Sequence, residues 1–196
     1  SVARDGSGDV LLQRNPFKGF KVPKEKNPLR VTLTDEEYEA LLAVSMDVDW
    51  RFHVALVLAH ETGHRIGAIR GLRWSDVDLE ASMIRWRAET EKNGYEHATP
   101  MTPDARQALG LARSMHPGVG DAPVLPAPKS PNRHMCRYLA RGWWKKAEEK
   151  AGLEPKKGRG WHSLRRKFAT DLKGIPLKTL CELGGWKTHV TVLTCY

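Results

Sequence analysis

The sequence predicts a mainly α-helical domain with a small antiparallel β-sheet, an α+β chain. Three observations carry that prediction. Apolar residues recur at helical spacing through most of the chain beyond residue 30, behind recognisable capping signals. One pair of strand-like segments flanks Asn93-Gly94. A content of 40% hydrophobic residues over 196 positions suffices for one good-sized core plus an arm, and no internal repeat is present.

Residues 1–30 read as a basic linker arm that follows an absent amino-terminal portion, since the first residue is Ser and Gly6, Gly8, Pro16, Gly19, Pro23 and Pro28 interrupt any periodicity. Its charges Lys18, Lys21, Lys24, Lys26 and Arg30 suit either a phosphate backbone or plain solvent. Order is predicted to begin at Thr34-Asp35-Glu36-Glu37, a capping box with Thr34 as N-cap and Glu37 reaching back. Tyr38, Leu41 and Leu42 give the stripe of the helix that follows. A second helix is predicted from about Trp50 to His60, with a stop near Gly63; its run Val54 to Ala59 belongs in a core.

After Leu72-Arg73-Trp74, the alternation Ile84, Trp86, Ala88 predicts a strand, Asn93-Gly94 a hairpin turn, and Tyr95 to Thr99 the return strand. Residues 103–115 read as a helix. Pro123, Pro126, Pro128 and Pro131 mark a loop, and Ser130-Pro131 then supplies an N-cap and first-turn pair for a helix to about Ala151, with Met135, Tyr138, Leu139, Trp143 and Ala147 as its stripe. A basic loop, Lys156-Lys157-Gly158-Arg159-Gly160, precedes helices from about His162 to Leu172 and Pro176 to Leu183. A last helix is expected to run toward Tyr196.

Lys and Arg outnumber Asp and Glu by 32 to 23, a net charge of +9. That balance favours a polyanionic partner, of which nucleic acid is the commonest, although charge alone does not separate such a chain from any basic protein. Cys136, Cys181 and Cys195 form no Cys-x-x-Cys pair and fit reduced thiols better than a disulfide framework. No signal peptide or membrane-length apolar run is present in the sequence.

His60-Glu61-Thr62-Gly63-His64 matches the His-Glu-x-x-His pattern of zinc peptidases, in which two histidines one helical turn apart bind metal and the glutamate activates water. Here Gly63 weakens the helix, and Arg70 stands where the longer form of the motif needs a third histidine. Packing or surface histidines are the expectation, and no metal or other cofactor is predicted.

A different set of residues suits phosphoryl transfer. Transesterification at a phosphodiester places negative charge on the non-bridging oxygens, and arginine meets it with a charged fork of parallel donors. Arg65 follows a glycine at a helix end, while His162 and Arg165 stand three apart on a predicted helix and so share a face. Lys92 precedes the Asn-Gly turn, Trp186 offers an indole N–H and an apolar wall, and Tyr196 is a candidate nucleophile. A tyrosine hydroxyl has a pKa near 10, so holding it ionised at pH 7 takes about 4 kcal/mol from neighbouring cations or a base. Each residue alone has an ordinary explanation as surface charge or core; the weight lies in their joint order.

That order resembles the tyrosine recombinase (phage integrase) family. The resemblance rests on Thr62-Gly63-His64-Arg65-Ile66-Gly67 continuing to Gly71-Leu72-Arg73-Trp74-Ser75-Asp76-Val77-Asp78, on Lys92, on His162-Ser163-Leu164-Arg165-Arg166-Lys167-Phe168-Ala169-Thr170, and on Leu183-Gly184-Gly185-Trp186 with Tyr196. It covers residue 31 to the end as a catalytic domain. It implies the tyrosine recombinase catalytic-domain fold and a site-specific recombinase or integrase of a phage or mobile element. By that resemblance Arg65 and Arg165 clamp the scissile phosphate, Lys92 protonates the leaving 5′-hydroxyl, His162 is base or phosphate ligand, Trp186 fills a position held by histidine or tryptophan, and Tyr196 forms a 3′-phosphotyrosyl link without metal or ATP.

The implied partner is double-stranded DNA, with a homotetramer on two duplexes in the full-length protein and a monomer for this chain alone. The implied location is the cytoplasm, on DNA, with no membrane. Two departures stand out: Ala68 occupies a position, three after Arg65, where the family often has an acid, and the spacing from Trp186 to Tyr196 is one residue longer than in many members. A type IB topoisomerase-like relaxing activity and a catalytically inactive DNA-binding relative are the alternatives.

Overall fold

The computed structural model describes residues 6–7, 30–91 and 94–195. Most of the predicted arm lies outside the described residues, as do Lys92, Asn93 and Tyr196. Helix α1 (Asp35–Val48) starts at the predicted capping box: the Glu37 N–H donates to Thr34 Oγ1 at 3.2 Å, and the Thr34 N–H to Glu37 Oε2 at 3.1 Å. Helix α2 (Trp50–Thr62) buries Phe52 and the whole run from Val54 to Ala59, over which it is apolar on every side. A helix without a polar face belongs at the centre. Around α2 pack α1, the short α3 (Ile66–Arg70), α4 (Pro103–Met115), α5 (Arg137–Lys150) and α6 (Trp161–Asp171).

A three-stranded antiparallel sheet, β1 (Val77–Asp78), β2 (Met83–Trp86) and β3 (His97–Pro100), lies in strand order 1-2-3. Ile84 pairs opposite Thr99 and Trp86 opposite His97, so the predicted alternation points Ile84 and Trp86 into the core. Ala88 lies beyond the strand. The pairing ends at Trp86, well short of a tight turn at Asn93-Gly94, because Arg87 draws the chain aside: its Nε donates to Asp76 Oδ2 at 3.0 Å and its Nη2 to the Gly71 carbonyl at 2.6 Å. Residues 87–91 therefore form a turn docked beside the end of α3.

The helix predicted to start at Ser130-Pro131 starts later. Those residues open strand β5 (Ser130–His134), which pairs with β4 (Pro126–Ala127) as a second, two-stranded sheet. The Met135 N–H donates to the Leu125 carbonyl at 2.9 Å, and both side chains are fully buried. Burial of that pair outweighs the local capping signal, as tertiary context often does. Cys136 caps α5 instead, and Tyr138, assigned to the buried stripe, is exposed while Trp144 packs inward.

Helices α7 (Leu177–Gly184) and α8 (His189–Cys195) complete the chain. The apolar interior divides into two clusters: a large one around α2, and a small one of Phe168, Ala169, Leu180, Cys181, Trp186 and Val192 between α6, α7 and α8. The start of the domain is tied to α6, where Arg166 donates to the Val31 carbonyl and Lys167 pairs with Asp35. Among the described residues no helix is long and apolar enough to cross a membrane.

Candidate active site

Three separated segments meet at one edge of α2. The first is the corner between α2 and α3. Gly63 ends α2 in the left-handed region at φ 64°, and a Cβ there would lie 2.4 Å from Phe168 Cδ1. A glycine is thus needed twice over, for the turn and for the approach of α6. Two residues on, Arg65 takes extended backbone at the start of α3 and sends a partly exposed side chain into the cleft, where Nη1 lies 3.4 Å from Glu91 Oε2.

The second segment is α6. Arg165 is among the largest fully buried side chains, 1% exposed, and its Nη1 donates to the Gly63 carbonyl at 2.6 Å and the Gly184 carbonyl at 2.7 Å. One guanidinium edge therefore holds the α2–α3 corner against the end of α7. His162, one turn earlier, shares a cavity of about 390 Å³ with Arg65, Gly67, Thr90, Glu91 and Trp161. Enclosure within the cleft, followed by the guanidinium groups of Arg166, Arg165, Arg65 and Arg30, pulls the His162 pKa down to about 4. The ring is exposed at the cleft mouth, so solvent screens part of this effect. At neutral pH the imidazole is uncharged.

The third segment is the turn after α7. Trp186 is buried, with the Arg165 guanidinium 4.0 Å above its ring and Phe168 packed beside it. Such a face-on cation adds attraction that strengthens where water is excluded. Gly185 is also left-handed, at φ 63°, and a Cβ on it would meet His97 Cε1 at 2.6 Å.

Of the six predicted site residues, the structure brings Arg65 and His162 to one cavity and sets Arg165 and Trp186 directly behind it. Lys92 and Tyr196 lie outside the described residues. Two further residues that sequence reasoning missed stand beside Arg65. His64 is buried and stacks on Trp86 at 3.7 Å, with Nε2 2.9 Å from His97 Nε2. Burial foremost, then the charge of Arg165, holds His64 well below its ordinary pKa, so it is neutral. Its Nδ1 can donate to the Thr62 carbonyl at 3.0 Å, while its Nε2 faces His97 Nε2 and the other nitrogen of that ring, Nδ1, lies 3.3 Å from the Tyr95 carbonyl. Glu91, buried at 5% exposure, is the other. The presence of His64 between Gly63 and Arg65 was a visible signal for the first; only its proximity to Lys92 marked the second.

The zinc-peptidase pattern comes apart at the same corner. Because α2 ends at Thr62, His60 and His64 leave it in different directions. His60 stacks on Tyr38 at 3.8 Å and pairs with Glu61, whereas His64 turns to Trp86 and His97.

The model of the phage integrase family matches residues 31–196. A putative integrase/recombinase of Haemophilus influenzae is 28% identical over 184 residues, covering 90% of this chain and 55% of the relative. The integrase of Salmonella phage P22 is 26% identical over 185 residues, covering 91% and 46%. The tyrosine recombinase XerC of Bacillus subtilis is 26% identical over 195 residues, covering 90% and 60%. This chain thus spans about half the length of the curated relatives it matches. Among solved structures, XerA recombinase superposes with a TM-score of 0.70 at 22% identity, over 89% of this chain and 61% of that one. A lambda integrase dimer bound to a core site gives 0.72 at 20% identity, over 93% and 52%; at such identities the likeness is one of fold. With a family model covering all of the chain beyond its first thirty residues, and with two arginines gathered at one edge of α2, this chain belongs to the phage integrase family.

Proposed function

We propose that this chain is the strand-cleaving domain of a site-specific DNA recombinase. The observation that carries the reading is the meeting of Arg65 and His162 at one cavity, with Arg165 pinned behind them by the carbonyls of Gly63 and Gly184. Positive charge from fixed guanidinium groups is what a five-coordinate phosphorane-like transition state requires, and preorganised donors stabilise such charge with little reorganisation.

In this reading the Tyr196 oxygen attacks phosphorus, the bond from phosphorus to the 5′-oxygen breaks, and Lys92 gives that oxygen its proton. The phenolic proton passes to His162. That ring is neutral before DNA binds, and a bound phosphate, by offsetting the guanidinium charge, raises its affinity for a proton. The product is a 3′-phosphotyrosyl link. It conserves one phosphoester for another, so reversal with a new 5′-hydroxyl rejoins strands without ATP. The two arginines supply the charge that metal ions supply in other phosphoryl-transfer enzymes. Double-stranded DNA is the partner, and the active assembly is a homotetramer on two duplexes. The net charge of +9 favours such a polyanion.

The test is covalent capture. The full-length protein is incubated with a pool of nicked duplexes of randomised sequence, whose nick lets the short cleaved fragment diffuse away and traps the adduct. Wild type is expected to yield a protein–DNA adduct that survives denaturation, and Tyr196→Phe to yield none. The absence of adduct from wild type overturns the reading in favour of a DNA-binding relative. Relaxation of plasmid without recombination on the recovered sequence would favour topoisomerase-like activity.

A further inference from the structure

We propose that Glu91 is the positioning carboxylate of Arg65, supplied by the turn after β2. This inference rests on the recombinase reading above. Arg65 is the one of the two clamp arginines that is not locked by backbone carbonyls: its side chain is 23% exposed, and the contact it makes with Glu91 Oε2, at 3.4 Å, is an ion pair. A long side chain held by nothing else would lose much of its geometry to rotamer freedom. Helix α3 offers it no acid, because the residue one turn on is Ala68, itself buried.

Glu91 is placed for the task by its own anchors. Its N–H donates to the carbonyls of Arg87 and Ala88, and Arg87 is fixed in turn by Asp76 and the Gly71 carbonyl. The carboxylate is thus presented from a turn docked on the far end of α3, while Arg65 stands at the near end. Its second oxygen, Oε1, lies 3.9 Å from His64 Nε2 and has no hydrogen-bond partner among the described residues. A buried carboxylate left half-satisfied is poor structural cement, since desolvation disfavours its charge. Desolvation indeed raises the pKa of Glu91, against the pull of Arg165 and Arg65. A group that stabilises the fold so little, yet faces the clamp, is better explained by the reaction. Glu91 also immediately precedes Lys92, so the residue that orients the phosphate clamp is joined covalently to the proposed general acid.

The test compares wild type, Glu91→Gln and Glu91→Asp in the full-length protein, on the nicked duplex recovered from the randomised pool. The maximal rate of adduct formation, the protein concentration giving half that rate, and the thermal unfolding midpoint are measured for each. Glu91→Gln keeps the shape and removes the charge. It is expected to lower the maximal rate about 10- to 100-fold, the usual effect of removing a group that orients a reacting residue. The half-saturating concentration should not rise, and the unfolding midpoint should not fall. Glu91→Asp should recover part of the rate. An unchanged rate in Glu91→Gln overturns the proposal. So does a faster one, which would mark the carboxylate as a competitor of the phosphate. A fall in the unfolding midpoint with a parallel loss of affinity would make Glu91 merely structural and would overturn the proposal as well. If wild type itself gives no adduct, the recombinase reading fails and this one fails with it.

Discussion

The two apolar clusters support the site unequally. Arg65 follows the corner that ends α2, a helix whose run from Val54 to Ala59 is wholly buried in the large cluster. Trp186 and the approach to Tyr196 stand on the small cluster, six buried residues gathered from α6 to α8. Arg165 bridges the two, with one nitrogen shared between the carbonyl of Gly63 on one side and of Gly184 on the other. The α2–α3 corner that carries Arg65 is therefore backed by much more buried apolar surface than the turn that carries Trp186. Local opening follows such differences in packing.

The bridge is the place where the comparison breaks most visibly. Arg165→Ala removes a proposed phosphate donor and leaves two carbonyls unpaired at a buried seam. Adduct formation should fall by about 10²- to 10³-fold, and urea denaturation should show a loss of about 1–3 kcal/mol. Arg65→Ala should lower adduct formation comparably, yet cost less stability than Arg165→Ala, because its side chain reaches solvent and gives up one ion pair rather than a seam between two backbone carbonyls. Equal stability losses in the two variants would deny Arg165 its bridging role.

The clusters themselves can be set against each other. Leu56→Ala, deep in the large cluster, should destabilise the chain by about 2–5 kcal/mol while leaving the adduct rate near wild type at temperatures where the variant is folded. Leu180→Ala, in the small cluster, should lie at or below the low end of that range, about 2 kcal/mol, and slow adduct formation. Amide hydrogen exchange on wild type adds a direct reading: α2 amides should exchange only with global unfolding, and those of α7 and α8 sooner.

A smaller effect sharpens the electrostatic side. His162 should titrate near 4 in the DNA-free chain by NMR, and higher once vanadate or inorganic phosphate is bound. The sign for stability follows from a folded pKa lowered beneath the unfolded value of about 6.5. The neutral ring favours folding above that value, and the contribution is lost as pH falls from 6.5 toward 4, where the unfolded chain takes up the proton first. Exposure at the cleft mouth keeps this contribution small.

Much of this frame was legible in the sequence because its signals are local. Thr34 and Glu37 form their capping box within one turn, Pro103 begins α4 at its first position, and Gly63 stops α2 where a left-handed residue is needed. What was illegible depends on distant partners. Ser130-Pro131 has every local mark of a helix start, yet Leu125 and Met135 pull it into a hairpin. Glu91 reads as one more surface acid until Arg87, anchored on Asp76 and Gly71, folds its turn back over α3. His64 carries no mark of its contact with His97, which stands on a strand thirty-three residues away. For the site, Arg65, His162, Arg165 and Trp186 were named from their order in the chain, and their proximity rests on long-range packing through Gly63 and Phe168.

In the proposed mechanism Arg65, His162 and Arg165 form one seat for a phosphate in transit. Vanadate, which adopts the five-coordinate geometry of phosphoryl transfer, tests it directly in crystals of the chain. The anion is expected in the cavity bounded by Arg65, Glu91 and His162, in contact with both guanidinium groups, and should be lost in Arg65→Ala. An empty cavity, with vanadate held instead at the basic loop of Lys156, Lys157 and Arg159, would contradict it.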